Sequence, residues 1–478
     1  MSTHFINNRR VAGVTGETIP VIDPSDGQVF AQLARGNAAD IASAVRAARA
    51  AADGGAWSRL APVERGRLLR KLSDAILAHH DELAMLELRD CGKPVKQAKA
   101  DATACARYFE YYAGACDKLH GETIPYTPGF AVMTVYEPHG VTGHIIPWNY
   151  PMQIFGRSVG GALAAGNACV VKPAEDACLS LLRIAEIAAD CGFPEGALNI
   201  VTGYGHEAGQ ALADAAGIDH ISFTGSARVG TIIAQSAAKR HVPVTLELGG
   251  KSPQIVFADA NLDEALPVII NAIIQNAGQT CSAGSRLLIE ASAYERVLSL
   301  LAPRFAALTA GPASMDLDVG PLIRQSQLDR VNGFLSDAQK TKLRIIAQGS
   351  VSAQAPSTGF YAKPTLIADV PASAALARDE VFGPVLAAMS FKDEVEAIAL
   401  TNGTEYGLVA GVWTENGGRA LRMAKAVKAG QVFINNYGAG GGVELPFGGV
   451  KSSGYGREKG FEALYGFSVM KTVVVRHG

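Results

Sequence analysis

Excess charge is missing from this chain. Its 43 Lys and Arg stand against 45 Asp and Glu, a formal net charge of −2. That balance gives no electrostatic reason to expect nucleic acid or an anionic membrane as a partner. No run approaches the roughly 18 apolar residues of a membrane span, and alanine-rich stretches such as ADATACARYFEYYAGAC are broken by charge. The opening MSTHFINNRR has no apolar core, so no signal segment is expected. The seven cysteines are odd in number, scattered and never spaced CxxC. That speaks against a disulfide framework and for reduced thiols, with the cytoplasm as the expected location. The ten histidines form no HExxH or similar cluster, so no metal site is expected. Asn402-Gly403-Thr404 matches a glycosylation sequon, which means nothing without a secretion signal. Repeats and low-complexity tracts are also absent.

What remains is a glycine-rich globular composition, with 52 Gly and 48% hydrophobic residues in 478. That length suits two or three domains. The first thirty or so residues read as short extended pieces with a turn at PSDG. Helices are expected over Ala38–Ala52 and from Pro62, where Leu68, Leu69, Leu72, Ala75 and Ile76 form one stripe. The period then changes. VTGHII (141–146), ACVVK (168–172), LNIVTG (198–203), DHISFTG (219–225) and PVTLELGG (243–250) are β-rich runs separated by helical ones. This predicts five parallel strands of a doubly wound sheet. Ligands on such sheets bind beyond the carboxyl ends of the strands. Those ends carry Pro147-Trp148-Asn149, Lys172-Pro173-Ala174-Glu175, Gly225-Ser226 and Glu247. A composition shift at Leu248-Gly249-Gly250-Lys251 reads as a hinge. A second alternating region follows to about Val450, with SPQIVFAD, SRLLIEA and VFINN as strands.

Four stretches suggest chemistry, and each has a plainer reading. NAGQTCSAG (276–284) sets Cys281 among small residues, either for access to a ligand or as a free cysteine in a loop. Phe223-Thr224-Gly225-Ser226-Ala227-Arg228-Val229-Gly230 turns from strand to helix, and a helix N-terminus suits a pyrophosphate. Its G-x-x-x-x-G spacing is neither the dinucleotide fingerprint nor a P-loop, and glycine-capped helices are common. Lys172 and Glu175 are placed to hold two ribose hydroxyls, or form a solvated loop. Glu247 in an apolar strand is a candidate general base or a salt-bridge partner.

Taken in order, PWNYP with Asn149, KPAE, LELGGKSP with Glu247, NAGQTC with Cys281, EVFGPV with Glu380 and Phe382, and PFGGVKSSGYGRE with Phe447 form a series. Glu247 and Cys281 are 281 − 247 = 34 residues apart. The series resembles the NAD(P)-dependent aldehyde dehydrogenase superfamily, from about Asn7 to Arg476. The resemblance implies an α/β fold with two doubly wound, Rossmann-like domains and a small β oligomerisation element. Residues 1–117 and 139–248 would bind the dinucleotide, 249–452 would form the catalytic domain, and 118–138 with 453–478 would join copies into a homodimer or homotetramer.

It also implies roles. Cys281 would be the nucleophile, its backbone N–H and the Asn149 side chain the oxyanion donors, and Glu247 the base that activates water. Lys172 and Glu175 match the pair at the adenosine ribose, and Glu175 would repel a 2′-phosphate, which favours NAD over NADP. Gly225 and Ser226 match the pyrophosphate contact, with Phe223 and Val229 beside them. Gly205 and Gly209 match the backbone by the adenine. Ile146, Pro147 and Trp148 match the strand-end wall of the cleft. Glu380 and Phe382 match the nicotinamide end, and Leu248 and Gly249 are further expected cofactor contacts. Tyr150, Arg157 and Phe447 would line the channel for an aldehyde substrate. Arg157 stands where many members carry tryptophan and where semialdehyde dehydrogenases carry an arginine for a substrate carboxylate. A second arginine of those enzymes is Gln275 here, so a structural partner for Arg157 stays open. The other readings are a coenzyme-A-acylating enzyme, which would typically lack the base Glu247, a reductive NADP-linked enzyme, a thiol hydrolase, and a non-catalytic binding or structural protein on the same fold.

Overall fold

Five parallel strands centre the first sheet of the computed structural model, which describes residues 3–438 and 442–478. They are β1 (Val141–Ile146), β2 (Ala168–Pro173), β3 (Leu198–Ile200), β4 (His220–Thr224) and β5 (Val244–Glu247). Their order is β3-β2-β1-β4-β5, and every neighbouring pair is parallel. The order reverses at β1, so a crevice opens above the carboxyl ends of β1 and β4. LNIVTG forms only three residues of strand, and a π turn at Gly205–Gly209 precedes the short helix Gln210–Asp214.

Three helices matter for the site: α1 (Pro151–Ala165), α2 (Leu179–Asp190) and α3 (Ala227–Ala238). Proline opens α1, and a left-handed Gly166 closes it. All of α1 except Gln153 is buried. Its small residues explain how: a Cβ on Gly156 would lie 3.0 Å from the Tyr108 ring, and one on Gly160 3.1 Å from Tyr112. Helix Val95–Ala113 therefore seats directly on α1 and brings Tyr108 over the channel.

The second sheet has six parallel strands: β6 (Pro253–Val256), β7 (Arg286–Glu290), β8 (Thr365–Ala368), β9 (Val385–Phe391), β10 (Val409–Trp413) and β11 (Gln431–Ile434). They run in the order β8-β9-β7-β6-β10-β11, with Arg344–Gln348 antiparallel outside β8. Apolar clusters cover both faces of this sheet. Buried on both faces, the strands read as continuous Val/Ile/Leu runs without alternation. Helix α4 (Leu262–Ile274) leads from β6 to the Cys281 loop.

The C-terminal strand Ser468–Arg476 pairs antiparallel with Phe130–Pro138 through nine residues, and Thr123–Ile124 adds a short third strand. Val469, Met470, Val474 and Val475 remain exposed on it. The small sheet does not begin where the sequence pattern suggested. Gly454–Tyr455 first pairs antiparallel with β5, and helix Glu462–Gly466 follows before the chain reaches the arm. No helix among the described residues is long and apolar enough to cross a membrane.

Candidate active site

Three successive left-handed residues aim the Cys281 loop. Asn276, Ala277 and Gly278 have φ of 49°, 54° and 75°. Only the last is glycine, and each of the others costs about 1 kcal/mol in that conformation. A Cβ on Gly278 would stand 2.2 Å from the Gly383 carbonyl oxygen, so no side chain fits there. Hydrogen bonds hold the bend. The Asn276 backbone N–H donates to Gln97 Oε1 at 2.9 Å, and its Nδ2 donates to the Asn149 carbonyl at 2.8 Å. Asn149 Nδ2 donates to the Gln279 carbonyl at 3.0 Å, and Gln279 Oε1 accepts from Ile323 N–H at 2.9 Å. Gly250 lets the hinge approach the same loop, since a Cβ there would lie 2.4 Å from the Cys281 carbonyl oxygen.

At the end of this bend Cys281 is half-buried, whereas the other six cysteines are buried. It lines a cavity with Asn149, Tyr150, Arg157 and Phe447. Burial pushes its thiol up to about 11, against the nearby Arg157 charge, which favours the thiolate. Glu247 ends β5, is 2% exposed, and neither carboxyl oxygen has a hydrogen-bond partner. Burial raises its pKa well above the usual carboxylate range, and Arg157 opposes that rise. Asn149 Oδ1 is also buried without a partner. A cysteine sulfur, an amide whose oxygen lacks a partner and an unpaired carboxyl thus sit in one desolvated neighbourhood, the surroundings that acyl-transfer chemistry uses.

The channel residues are fixed by contacts that sequence reading did not supply. Arg157 Nε lies 2.6 Å from Glu458, its Nη2 donates to Thr224 Oγ1 at 3.1 Å, and its guanidinium sits 5.1 Å from the Phe447 ring centroid. The structural partner left open for Arg157 is therefore Glu458, although Arg157 still lines the cavity. Tyr150 Oη and Thr280 Oγ1 are 3.0 Å apart, and the buried Lys93 ammonium lies 4.0 Å above the Tyr150 ring. Lys93 is neutralised by Glu87 at 3.0 Å and by Asp101. Tyr108, Gln153, Asn271, Tyr437 and Lys459 also line the cavity. Tyr437 belongs to the VFINNYG run, and Lys459 directly follows GYGRE. Tyr108 carries no local signal, because only the packing of two helices brings it here.

A second cleft takes in Ile146, Pro147, Lys172, Gly205, Gly209, Phe223, Gly225, Ser226 and Val229. Ser226 caps α3, accepting from Val229 N–H at 3.4 Å. A Cβ on Gly225 would meet the Phe223 ring at 2.6 Å, whereas one on Gly205 would face open space. Lys172 Nζ and Glu175 Oε2 are 3.0 Å apart. Burial would raise the Glu175 carboxyl, but the Lys172 charge and hydrogen bond, a backbone hydrogen bond and the Arg324 charge together hold the group below its usual value. Arg228 rims this cleft as a further cation, and His206 lies beside it.

The remaining expected cofactor residues gather at the hinge. Trp148 and Phe382 meet edge to face at 5.4 Å. Phe382 is left-handed at φ 59°, and its carbonyl accepts from Gln327 Nε2 at 2.7 Å. Glu380 Oε1 accepts from Gly250 N–H at 3.0 Å, and a Cβ on Gly249 would strike that carboxyl at 2.7 Å. Burial raises Glu380 to about 7. Leu248 packs on Gly230 of α3, where a Cβ would lie 2.6 Å from its side chain.

Comparison with known proteins agrees with this geometry. The model of the aldehyde dehydrogenase family matches residues 11–473. An aldehyde dehydrogenase of Emericella nidulans is 42% identical over 476 residues, covering 99% of this chain and 95% of that protein. The crystal structure of a Burkholderia cenocepacia protein superposes with a TM-score of 0.99 at 65% identity, covering 100% of both chains. The NAD+ complex of an aldehyde dehydrogenase from Bacillus cereus superposes with a TM-score of 0.96 at 38% identity, covering 100% of this chain and 97% of that one.

Proposed function

The chain belongs to the aldehyde dehydrogenase family, and we propose that it oxidises an aldehyde to a carboxylic acid through a covalent Cys281 thioester. It is an NAD(P)-dependent enzyme that uses NAD. The dinucleotide fits the second cleft on physical grounds. The start of α3 lines it through Gly225, Ser226, Arg228 and Val229, Gly205 leaves room for a close approach, and Lys172 and Glu175 offer a donor and an acceptor to a ribose. Glu175 would meet a 2′-phosphate with like charge, which supports NAD over NADP. When bound, the nicotinamide supplies the hydride acceptor.

In this reading the Cys281 thiol gives its proton to water and the thiolate attacks the aldehyde carbon, giving a tetrahedral thiohemiacetal. Asn149 Nδ2 and the Cys281 backbone N–H hold the oxyanion, and Asn149 is preorganised because Gln279 already orients its amide. Loss of hydride leaves the thioester. Glu247 then takes a proton from water, which attacks the acyl carbon and frees the acid and the thiol. An unpaired, buried carboxyl with a pKa raised by burial is a stronger base than an exposed one, which suits a group that must take a proton from water. The half-buried thiol beside Asn149 in a cavity lined by both polar and apolar side chains is the observation that carries the reading.

The presence of Glu247 speaks against transfer of the acyl group to coenzyme A. The cavity offers Gln153, Asn271, Gln275 and Tyr437 besides Arg157, which supports an aldehyde with a polar tail, the class that includes carboxylate-tailed semialdehydes. The arm Ser468–Arg476, with its exposed valines, is proposed to join copies as a dimer or tetramer. The test is NADH formation by purified protein over a panel of aldehydes, with Cys281→Ala as control. Turnover in the parent and loss of about four decades or more in the variant is expected. Equal NADH formation by both would overturn the reading.

A further inference from the structure

Lys93 is a buried charge that no step above uses. It sits in the short link between helix His80–Cys91 and helix Val95–Ala113, with no exposed surface. The link fixes where its side chain starts. Gly92 closes the first helix in the left-handed region at φ 75°, where a Cβ would stand 2.7 Å from Pro321, and Pro94 opens the second at φ −51°. The residue before a proline is biased to extended backbone, so Lys93 has little choice of direction. Burial would strip its proton, but the charges of Asp101 and Glu87 hold its pKa above the usual lysine value. Nζ donates to Glu87 Oε1 at 3.0 Å and to Asp101, and it lies 4.0 Å from the Tyr150 ring centroid. Two carboxyl groups and one aromatic face thus surround the ammonium.

The aromatic face is the part that reaches the channel. A cation over a ring is attracted to its face and pins it. Tyr150 Oη and Thr280 Oγ1 are 3.0 Å apart, and the Thr280 hydroxyl donates to the Gln275 carbonyl at 3.4 Å, which leaves the phenol as donor to Thr280. Asn149 directly precedes Tyr150, and Cys281 directly follows Thr280. Each oxyanion donor of the proposed reaction, the Asn149 amide and the Cys281 N–H, is therefore one residue from the Tyr150–Thr280 hydrogen bond. Helix Val95–Ala113 secures the same loop at a second point, where Gln97 Oε1 accepts from Asn276 N–H at 2.9 Å. Asp101 Oδ1 also accepts from Gln153 Nε2 in the channel wall, at 2.5 Å.

We infer that Lys93 is a positioning residue of the oxyanion site. Its ammonium fixes the Tyr150 ring, Tyr150 fixes Thr280, and that link sets the separation of the two oxyanion donors. Without the ammonium the ring is free to shift, and the Cys281 N–H and the Asn149 amide lose their common anchor. This inference rests on the aldehyde-oxidising reading above.

The experiment measures single-turnover NADH formation, with enzyme in excess, NAD saturating and the aldehyde of the panel that the parent turns over fastest. It compares the parent, Lys93→Met, Tyr150→Phe and the double variant. Each single substitution is expected to lower the rate constant at saturating enzyme by about tenfold, the scale of a displaced reacting group, with KM for NAD unchanged. The double variant is expected to match the single variants within about twofold, because both substitutions break one link. A purely structural loss would reduce the amount of active enzyme and leave the rate constant of the surviving molecules alone, so an unchanged constant in Lys93→Met overturns the inference. A fall of about a hundredfold in the double variant, the product of two independent effects, also overturns it. Should Lys93→Met fail to fold, Tyr150→Phe decides, since it keeps the ring over the ammonium and removes only the hydroxyl: a fall of about tenfold supports the link, and an unchanged constant overturns it. NADH from the parent with unchanged variants sinks this inference and leaves the oxidation reading standing. NADH from no aldehyde at all sinks that reading first.

Discussion

Replacing Glu247 by glutamine separates the two halves of the reaction. The substitution keeps the shape of the side chain and removes only its capacity to accept a proton. Neither Glu247 oxygen has a hydrogen-bond partner, so no ion pair or donor is orphaned, and folding stability should change by less than about 1 kcal/mol. Asn149 and Cys281 are untouched, so attack and hydride loss proceed. Hydrolysis of the thioester loses its base, an effect of about 10²–10⁴ in rate, or about 2.7–5.5 kcal/mol of barrier. Steady-state NADH formation should fall by that factor. A rapid-mixing experiment should still show a burst approaching one NADH per thiol, because the acyl-enzyme forms and waits. In the parent, burial keeps Glu247 protonated well above the usual carboxylate pH, so hydrolysis should accelerate as pH rises through that raised value. The glutamine variant should lose this rise. A variant without a burst, or with parental steady-state turnover, would refute the assignment of Glu247 to hydrolysis.

Three other outcomes follow from the geometry. Asn149→Ala should lower kcat by about 10²–10³ through loss of an oxyanion donor, and a loss mainly in KM would place Asn149 in binding instead. Gly278→Ala should cost about 2 kcal/mol or more, since φ is 75° and the new Cβ would lie 2.2 Å from the Gly383 oxygen. Gly333→Ala, facing open space inside helix Gln325–Lys340, should instead stabilise by about 0.5–1 kcal/mol; thermal melts of the two variants moving in the same direction would contradict the argument. Burial lowers His144 to about 3, far below the roughly 6.5 of an unfolded imidazole. The unfolded chain then binds a proton that the folded one does not. Stability contributed by this neutral histidine is complete above about pH 6.5 and is lost toward pH 3, at up to about 1.4 kcal/mol per pH unit. Melting temperature measured over that window should fall with acid, less steeply in His144→Asn, and identical slopes would count against it.

How much of this was legible in sequence depends on distance along the chain. The ends of β1 coincide with VTGHII, because a β-branched run is a local signal. The strand-end positions of Lys172, Gly225 and Glu247 followed from the same alternation. The bend at Asn276–Gly278 was not legible, since two of its three left-handed residues are not glycine and are held there by Gln97, Asn149 and Gln279. Nor was the pairing of Arg157 with Glu458, or of Gly454–Tyr455 with β5. These are long-range contacts, and nothing in local periodicity encodes them. The motif series nevertheless pointed to Cys281, Asn149 and Glu247, which the fold brings into one neighbourhood.

Six of the seven thiols are buried in the interior, and the seventh opens on the channel. Chemical titration of thiols thereby becomes a counter of intact molecules. A bulky alkylating reagent should consume one equivalent from a native sample and seven from one in denaturant, with no spectroscopic calibration. Intermediate stoichiometry in an ageing preparation would measure the fraction that has come apart, independently of how much of the enzyme still turns over.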